Sequence, residues 1–354
     1  MPDWSSSMQQ TYEYYIVNPD TWKNESRLDN VISSRLVRDS QNETLGSASL
    51  DSDDDLSDKY IRVYLVATQN GFTEPIPLGT YLCQSPAMSF DGKHKSITQD
   101  AYTPLIELKE KLPPIGYALL EEDNIMRWAG AIAREHMRAP VVPATCDKTL
   151  QTAFVSDISE TWLSFLTDLI ANAGYRFDID PLGQILFAPI VDVKKMQPVF
   201  EFNDSNSSIL YPDINMKHDL YGVPNVVEVV YSSNDSDEEL YSRVSNDDPD
   251  SITSTVVRGR EIVYRETNPS VAAGLTQQQL DEYAENLLSE LSSLEYTLTY
   301  KHGYCGVRVG DCVLLNYERA GLTRIKAKVI AQTINCEPGC PVEETAVFTK
   351  NLWR

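Results

Sequence analysis

An alternation of apolar and polar residues predicts β-structure in the first part of the chain. Ile61, Val63 and Leu65 fall on one side of an extended segment, and Arg62 falls on the other. A period of two residues is typical of a strand with one buried face. Asn-Gly and Asp-Gly pairs follow, and these are typical of hairpin turns. The sequence therefore predicts an antiparallel meander whose strands begin near Asn30.

The same alternation returns near the other end of the chain, where Ile325, Ala327 and Val329 alternate with lysines. A Gly-Asp pair precedes this segment and a Pro-Gly pair follows it. Both pairs are typical of tight turns, so a second meander is predicted there. A glycine at such a turn allows a positive φ that strains other residues. The turn residues predicted to matter most for the structure are Gly79, Gly183, Gly310, Asp311 and Gly339.

Between the two meanders, apolar residues recur every three or four positions, which predicts amphipathic helices. A polar side chain before each helix would cap its first turn, and a Thr-x-x-Gln sequence fits a capping box. The predicted helices and their caps are residues 124–138 with Asp123 or Asn124, residues 159–173 with Ser159, and a helix that begins after Thr276.

These elements predict an α+β fold that is mainly β. The first meander is predicted to be closed or nearly closed into a small barrel. An α+β unit follows it, and the second meander has four strands.

The charge of the chain narrows the class of partners. Its 354 residues carry a net charge of −22, from 30 Lys and Arg against 52 Asp and Glu. A groove for nucleic acid needs clustered cations, so we expect no stable binding, and an acidic surface would repel DNA. No apolar run is long enough to span a membrane, and the first residues lack a signal-peptide pattern. We therefore expect no membrane-spanning segment and assembly in a cytoplasm.

The six cysteines are too sparse for a disulfide framework. Cys336 and Cys340 flank the predicted Pro-Gly turn, and Cys305, Cys312 and His302 are the residues that could complete a zinc site. Free thiols in a reducing compartment are the simpler interpretation. We predict no metal and no cofactor, and the sequence leaves open whether Cys336 and Cys340 pair with each other or bind a metal.

No catalytic motif is present: the chain has no Gly-x-Ser-x-Gly elbow, no phosphate-binding glycine loop and no His-Glu-x-x-His. Cys146 with His136 is a conceivable nucleophile and base, but neither has a feature of an activated group. Adjacent glutamates in predicted loops, Glu121-Glu122 and Glu238-Glu239, are interpreted as solvated. The histidines, each predicted to be structural, are His94, His136, His218 and His302. We predict no catalytic residues.

Four segments in this order resemble one family: "PLGTYLCQSP", "TWLSFLTDLIANAGYRFDIDPLGQILFAP", "GVPNVVEVVY" and "LTYKHGYCGVRVGDCVLLNY". The chain is similar, from about residue 12 to Arg354, to the central-hub family of bacteriophage baseplates and tail tips. That family includes the late-control tail proteins and the N-terminal hub part of tail-associated lysins. The resemblance implies two small antiparallel β-barrels of the tail-tube type, with α+β inserts, and a structural role in the virion. Four segments are then expected. They are an N-terminal barrel (residues 1–103), an α+β insert (104–202), a second, split barrel (203–235 with 293–354), and an acidic loop and helix insertion (236–292).

The resemblance also implies partners. The expected assembly is a homotrimeric ring that joins the hexameric tail tube, or a distal tail protein, to a trimeric spike or tip protein. Its channel would pass the tape-measure protein and then DNA, without stable binding. The alternatives are a tail-associated cell-wall-degrading enzyme or its truncated remnant, and a carbohydrate-binding tail adhesin. The lysin pattern continues into a hydrolase domain that is not expected here, and Trp128 and Trp162 are interpreted as core residues rather than a glycan platform.

Overall fold

A computed structural model describes residues 2–232, 239–267, 269 and 276–352. Of the acidic loop predicted at residues 234–239, residues 234–238, including Glu238, lie outside the described residues, whereas Glu239 begins a strand and not a loop. The chain divides into two compact units. The first comprises Met1–Ile214 and Thr299–Ala346, and the second comprises Asn215–Leu298 and Val347–Arg354. The predicted insert of residues 104–202 lies within the first unit, and the finer division into four segments stays a prediction.

The chain is mainly β, as predicted. The strands of the described residues are β1 (Gln9–Val17), β2 (Asn24–Leu28), β3 (Val31–Asp39), β4 (Gly46–Ser52), β5 (Tyr60–Gln69), β6 (Phe72–Phe90), β7 (Lys95–Tyr102), β8 (Ala118–Leu119), β9 (Phe154–Val155), β10 (Tyr175–Ile179), β11 (Ile185–Pro189), β12 (Phe200–Asn203), β13 (Leu210–His218), β14 (Val226–Ser232), β15 (Glu239–Ser245), β16 (Val263–Thr267), β17 (Ser293–Gly303), β18 (Cys312–Tyr317), β19 (Leu322–Asn335) and β20 (Pro341–Asn351). The helices are α1 (Ile106–Lys109), α2 (Ile125–His136), α3 (Trp162–Asn172), α4 (Thr255–Arg258) and α5 (Gln277–Leu291). Among the described residues, none of the helices has both the length and the apolar content needed to cross a membrane.

In the first unit, strands from both predicted meanders form one sheet in the order β20-β19-β3-β4-β7-β6-β5-β1-β2. The pairing of β19 with β3, from Ala331↔Asp39 to Asn335↔Arg35, joins the two meanders. The described strand order does not return to its start, so the prediction of two closed barrels is not confirmed. β2 is an edge strand, because its described ladder runs only to β1.

The prediction that strands begin near Asn30 was wrong. β1 already pairs with β5 from Gln9↔Thr68 to Val17↔Tyr60. The tyrosines of this segment favour a pleated, half-buried surface, which a search for purely apolar residues overlooks.

The core of this sheet contains the alternating residues of β5. One buried face was predicted for β5, but Tyr60 and Arg62 are buried too, so this end of the strand is covered on both faces. Ile61, Val63 and Leu65 lie on one face, as predicted, and are fully buried. They belong to one apolar cluster with residues from the far end of the chain, including Ile334 and Val342. The burial of apolar side chains from both ends of the chain is therefore what stabilises the sheet.

The insert of the first unit packs α2 and α3 together with the β10–β11 hairpin. The Asn124 side chain caps α2, as predicted, by accepting a hydrogen bond from the Arg127 backbone. α3 begins later than predicted: Thr161, not Ser159, accepts from Ser164, because residues 157–160 form a separate turn.

The two tryptophans of these helices have different environments. Trp162 is buried, whereas Trp128 is 37% exposed. The buried stripe of α2 is centred on Ala129 and includes Ile125 and Ala133, so Trp128 lies at its edge. The prediction of a core position was wrong for Trp128 and correct for Trp162.

The second unit has a three-stranded sheet in the order β15-β14-β16. α5 covers it with Leu280, Ala284 and Leu288, which pack against Val227 and Val229. The predicted capping box is present: Thr276 and Gln279 cap each other's backbone.

Candidate functional site

The turn of the β10–β11 hairpin contacts the main sheet through a buried arginine. Arg62 is 4% exposed and donates from Nε to Thr80 Oγ1 (2.9 Å), from Nη1 to Asn24 Oδ1 (3.0 Å) and from Nη2 to the Leu182 carbonyl (2.9 Å). The Trp22 indole donates to the same carbonyl at 2.8 Å. Arg62 does face away from the strand core, as predicted, but the insert covers it. These hydrogen bonds satisfy the donors of the buried Arg62 guanidinium and join the insert to the sheet.

Gly183 makes that contact possible. Its φ is +77°, and a Cβ built there would lie 2.7 Å from Thr80 Cβ and 3.1 Å from the Trp22 ring. The residue therefore needs both the conformational freedom of glycine and the absence of a side chain.

Gly310 and Asp311 form the turn that leads into β18. Gly310 has a φ of +96°, and a Cβ there would overlap Arg176 Nη2. The Asp311 carboxylate accepts a hydrogen bond from the Arg308 backbone at 2.8 Å. Burial raises the pKa of Asp311, although this hydrogen bond opposes the shift. The turn thus brings a second arginine and a carboxylate against the insert hairpin.

The two other predicted turn residues differ. Gly79 lies inside β6, where it pairs with Val63 next to a bulge at Leu78, and not in a turn. It lacks a side chain because a Cβ would lie 2.5 Å from the Tyr81 ring. Gly339 is at a turn with a φ of +88° and has open space around it.

The structure therefore brings together most of the predicted residues. Gly79 lines one pocket, and Gly310 and Asp311 line an adjoining one. Gly183 belongs to the hairpin turn that closes the first pocket, whereas Gly339 does not line either pocket.

A buried polar network that the sequence analysis missed lies in the same unit. Arg38 donates to Gln332 Oε1 at 3.0 Å, and the Gln332 amide donates to Glu344 and to the Val307 carbonyl. Tyr300 donates to Glu344 Oε2 at 2.7 Å. Glu344 is fully buried. The sequence does contain a signal for this network. Glu344 lies on the apolar face of β20, together with the residues two positions before and after it.

His302 is buried beside this network. Its Nδ1 donates to the Gly303 carbonyl at 2.7 Å, and its Nε2 lies 3.3 Å from Glu344 Oε1, an ion-pair distance without good hydrogen-bond alignment. Burial disfavours the imidazolium, but Cys305 and Glu344 outweigh burial and raise the pKa of His302 to about 10.

This pKa shift predicts how stability depends on pH. Because the pKa of folded His302 lies above the ordinary value of 6.5, its contribution is complete below pH 6.5 and is lost as the pH rises towards 10. We expect the urea midpoint to fall over this range by more in the wild type than in His302→Gln. Equal losses in the two proteins, measured by circular dichroism, would rule out a buried imidazolium.

Cys305, His302 and Glu344 stand in the order of a nucleophile, a base and an orienting acid. Cys305 Sγ is 3.9 Å from His302 Nδ1. The geometry nevertheless opposes catalysis, because Nδ1 donates to a carbonyl and all three side chains are buried from any substrate. In the described part of the chain, no hydrogen bond joins the side chain of Cys146 to that of His136, the other conceivable pair. The His136 ring stacks on Trp162 instead.

The cysteines of the predicted turn are free. Burial raises the pKa of Cys336 to about 11 and that of Cys340 to about 12, so both are protonated thiols at neutral pH. Within the described part of the chain, no group of three or more His, Cys, Asp or Glu residues is arranged to hold a metal ion.

Solved structures share this fold over most of the chain. A tail protein from Neisseria meningitidis MC58 aligns with a TM-score of 0.59 and 15% identity, covering 97% of this chain and 98% of its own. The 43 kDa tail protein of prophage MuSo2 from Shewanella oneidensis aligns with a TM-score of 0.61 and 10% identity, covering 96% and 98%. A chain of the Francisella PdpA–VgrG complex aligns with a TM-score of 0.55 and 10% identity, covering 96% and 58%. No protein-family model and no curated protein sequence matches the chain.

The chain therefore has the fold of phage tail proteins, which confirms the resemblance drawn from the four sequence segments. The first two neighbours are described as tail proteins and not as enzymes. At these identities the likeness concerns the fold, and the role of this chain follows as a proposal.

Proposed function

We propose that the chain is a structural protein of a bacteriophage tail, the central hub of its baseplate or tip, without catalytic activity. The observation that carries this proposal is the nearly end-to-end match of its fold to two tail proteins. A second observation supports it, because the one nucleophile–base–acid arrangement described above is buried and acts within the structure.

The hub works as a homotrimeric ring, assembled in the host cytoplasm. Each chain contributes two related sheet segments, so that three chains match a hexameric tail tube on one side and a trimeric spike or tip on the other. The open sheet favours such a ring, since the exposed edge strand β2 needs a partner or a cover to avoid aggregation. The fold shared with a chain of the PdpA–VgrG complex supports a spike or tip protein as partner.

The ring also forms a channel for the tape-measure protein and then for DNA. A net charge of −22 on each chain would keep DNA from adhering to the wall. In this account the protein acts mechanically, as an adaptor that DNA passes without stable binding.

Electron microscopy of assembled tails tests the position of the protein. We expect gold label on a tagged chain at one end of each tail. Label along the whole tube, or an absence of label from purified virions, would contradict the hub.

A zymogram on peptidoglycan tests the enzyme alternative. We expect no clearing by the purified protein. Clearing that persists in a Cys305→Ser variant would identify a catalytic site elsewhere.

A further inference from the structure

A pocket of about 210 Å³ lies in the first unit, beside the β10–β11 hairpin and β19. Its charged lining consists of Arg176, Asp178, Arg308, Asp311 and Lys328. A structural adaptor does not require such a pocket, so its chemistry is a separate question from the proposed function.

The two acids of the pocket are turned towards Arg308. The Arg308 guanidinium is 3.7 Å from the Asp178 carboxylate, and its backbone N–H donates to Asp311. A further hydrogen bond leads from the same guanidinium to the Ile179 carbonyl at 2.5 Å. These contacts hold Arg308 and compensate its charge within the chain.

Arg176 and Lys328 have no such compensation. Among the described residues neither side chain has a carboxylate within ion-pair distance, and the Arg176 guanidinium makes only a long contact of 3.4 Å to the Phe177 carbonyl. Burial and the nearby charge of Arg176 both lower the pKa of Lys328. Two half-buried cations thus line one pocket, and among the described residues neither has an ion-pair partner of its own.

We propose that this pocket binds an oxyanion, a phosphate or carboxylate group, between Arg176 and Lys328. The planar guanidinium can donate two parallel hydrogen bonds to such a group, and the ammonium adds a point charge. Gly310 leaves the space that the Arg176 side chain occupies, because a Cβ there would overlap Nη2. The lining carries three cations and two acids, so one bound anion balances it.

Thermal unfolding with inorganic phosphate, at an ionic strength held constant with chloride, tests the pocket. We expect phosphate to raise the midpoint progressively with the logarithm of its concentration, by about 3 °C at ten times the dissociation constant, in the wild type. Lys328→Gln should lose the response. Without the anion this variant should be at least as stable as the wild type, since it removes the repulsion from Arg176. Lys301→Gln removes the same charge at a distant ion pair with Glu343 and should keep the response.

Acetate in a parallel series distinguishes the two chemical classes. A response to acetate alone identifies a carboxylate, as from an acidic side chain of a partner, and a response to phosphate alone identifies a phosphate group. The proposal is overturned if neither anion raises the midpoint above that in chloride at the same ionic strength, or if Lys328→Gln responds as strongly as the wild type. Arg176→Gln repeats the test at the second cation and should also lose the response.

Discussion

Replacing Gly183 by valine is expected to destabilise the first unit by about 4 kcal/mol, which combines the strain of a positive φ with overpacking. A side chain at this position would collide with Thr80 and Trp22, and so would separate the insert from Arg62. Urea denaturation followed by tryptophan fluorescence measures the loss.

Gly116→Val is the matched control. Gly116 has nearly the same φ, +76° against +77° for Gly183, but nothing lies within 4 Å of the position that a Cβ would take there. The Gly116→Val variant should lose only about 1–2 kcal/mol of its free energy of unfolding, which is the cost of the strained φ. Equal midpoint shifts in the two variants would mean that the contact between hairpin and sheet contributes nothing to stability.

Replacing Glu344 by alanine is expected to cost a similar amount, about 4 kcal/mol. The substitution leaves the His302 imidazolium without its counter-ion, and leaves Tyr300 and Gln332 without an acceptor, all in the interior. Urea midpoints at pH 6 measure the effect, because His302 is fully charged there.

The neighbouring residue supplies the control for this experiment. Glu343 lies on the opposite face of β20, where its half-exposed carboxylate pairs with Lys301 at 3.2 Å. Glu343→Ala should cost less than about 1 kcal/mol, as is usual for a surface ion pair. If Glu344→Ala proved equally mild, the buried network would not be a stabilising element.

Local patterns in the sequence predicted several local features correctly. The period of two around Val63, the cap at Asn124 and the capping box at Thr276 depend on residues close together in the chain. The turn glycines Gly183 and Gly310 are of the same kind, since their positive φ follows from neighbouring residues.

Contacts between distant residues could not be predicted in this way. The pairing of β19 with β3 joins residues about 300 positions apart, and no local pattern contains it. The network of Glu344 and His302 was missed because a charged residue on an apolar face acquires meaning only with its partner. Gly79 is a different case: it was assigned to a turn, but a Cβ there would meet the Tyr81 ring two residues away in the same strand.

The central claim is that the chain forms a trimeric ring, and light scattering coupled to size-exclusion chromatography tests it most directly. The account predicts a single species with three times the 39.9 kDa mass of one chain. Dilution should leave this mass unchanged over the range in which a closed ring is stable. A species with the mass of one chain at every concentration would contradict it.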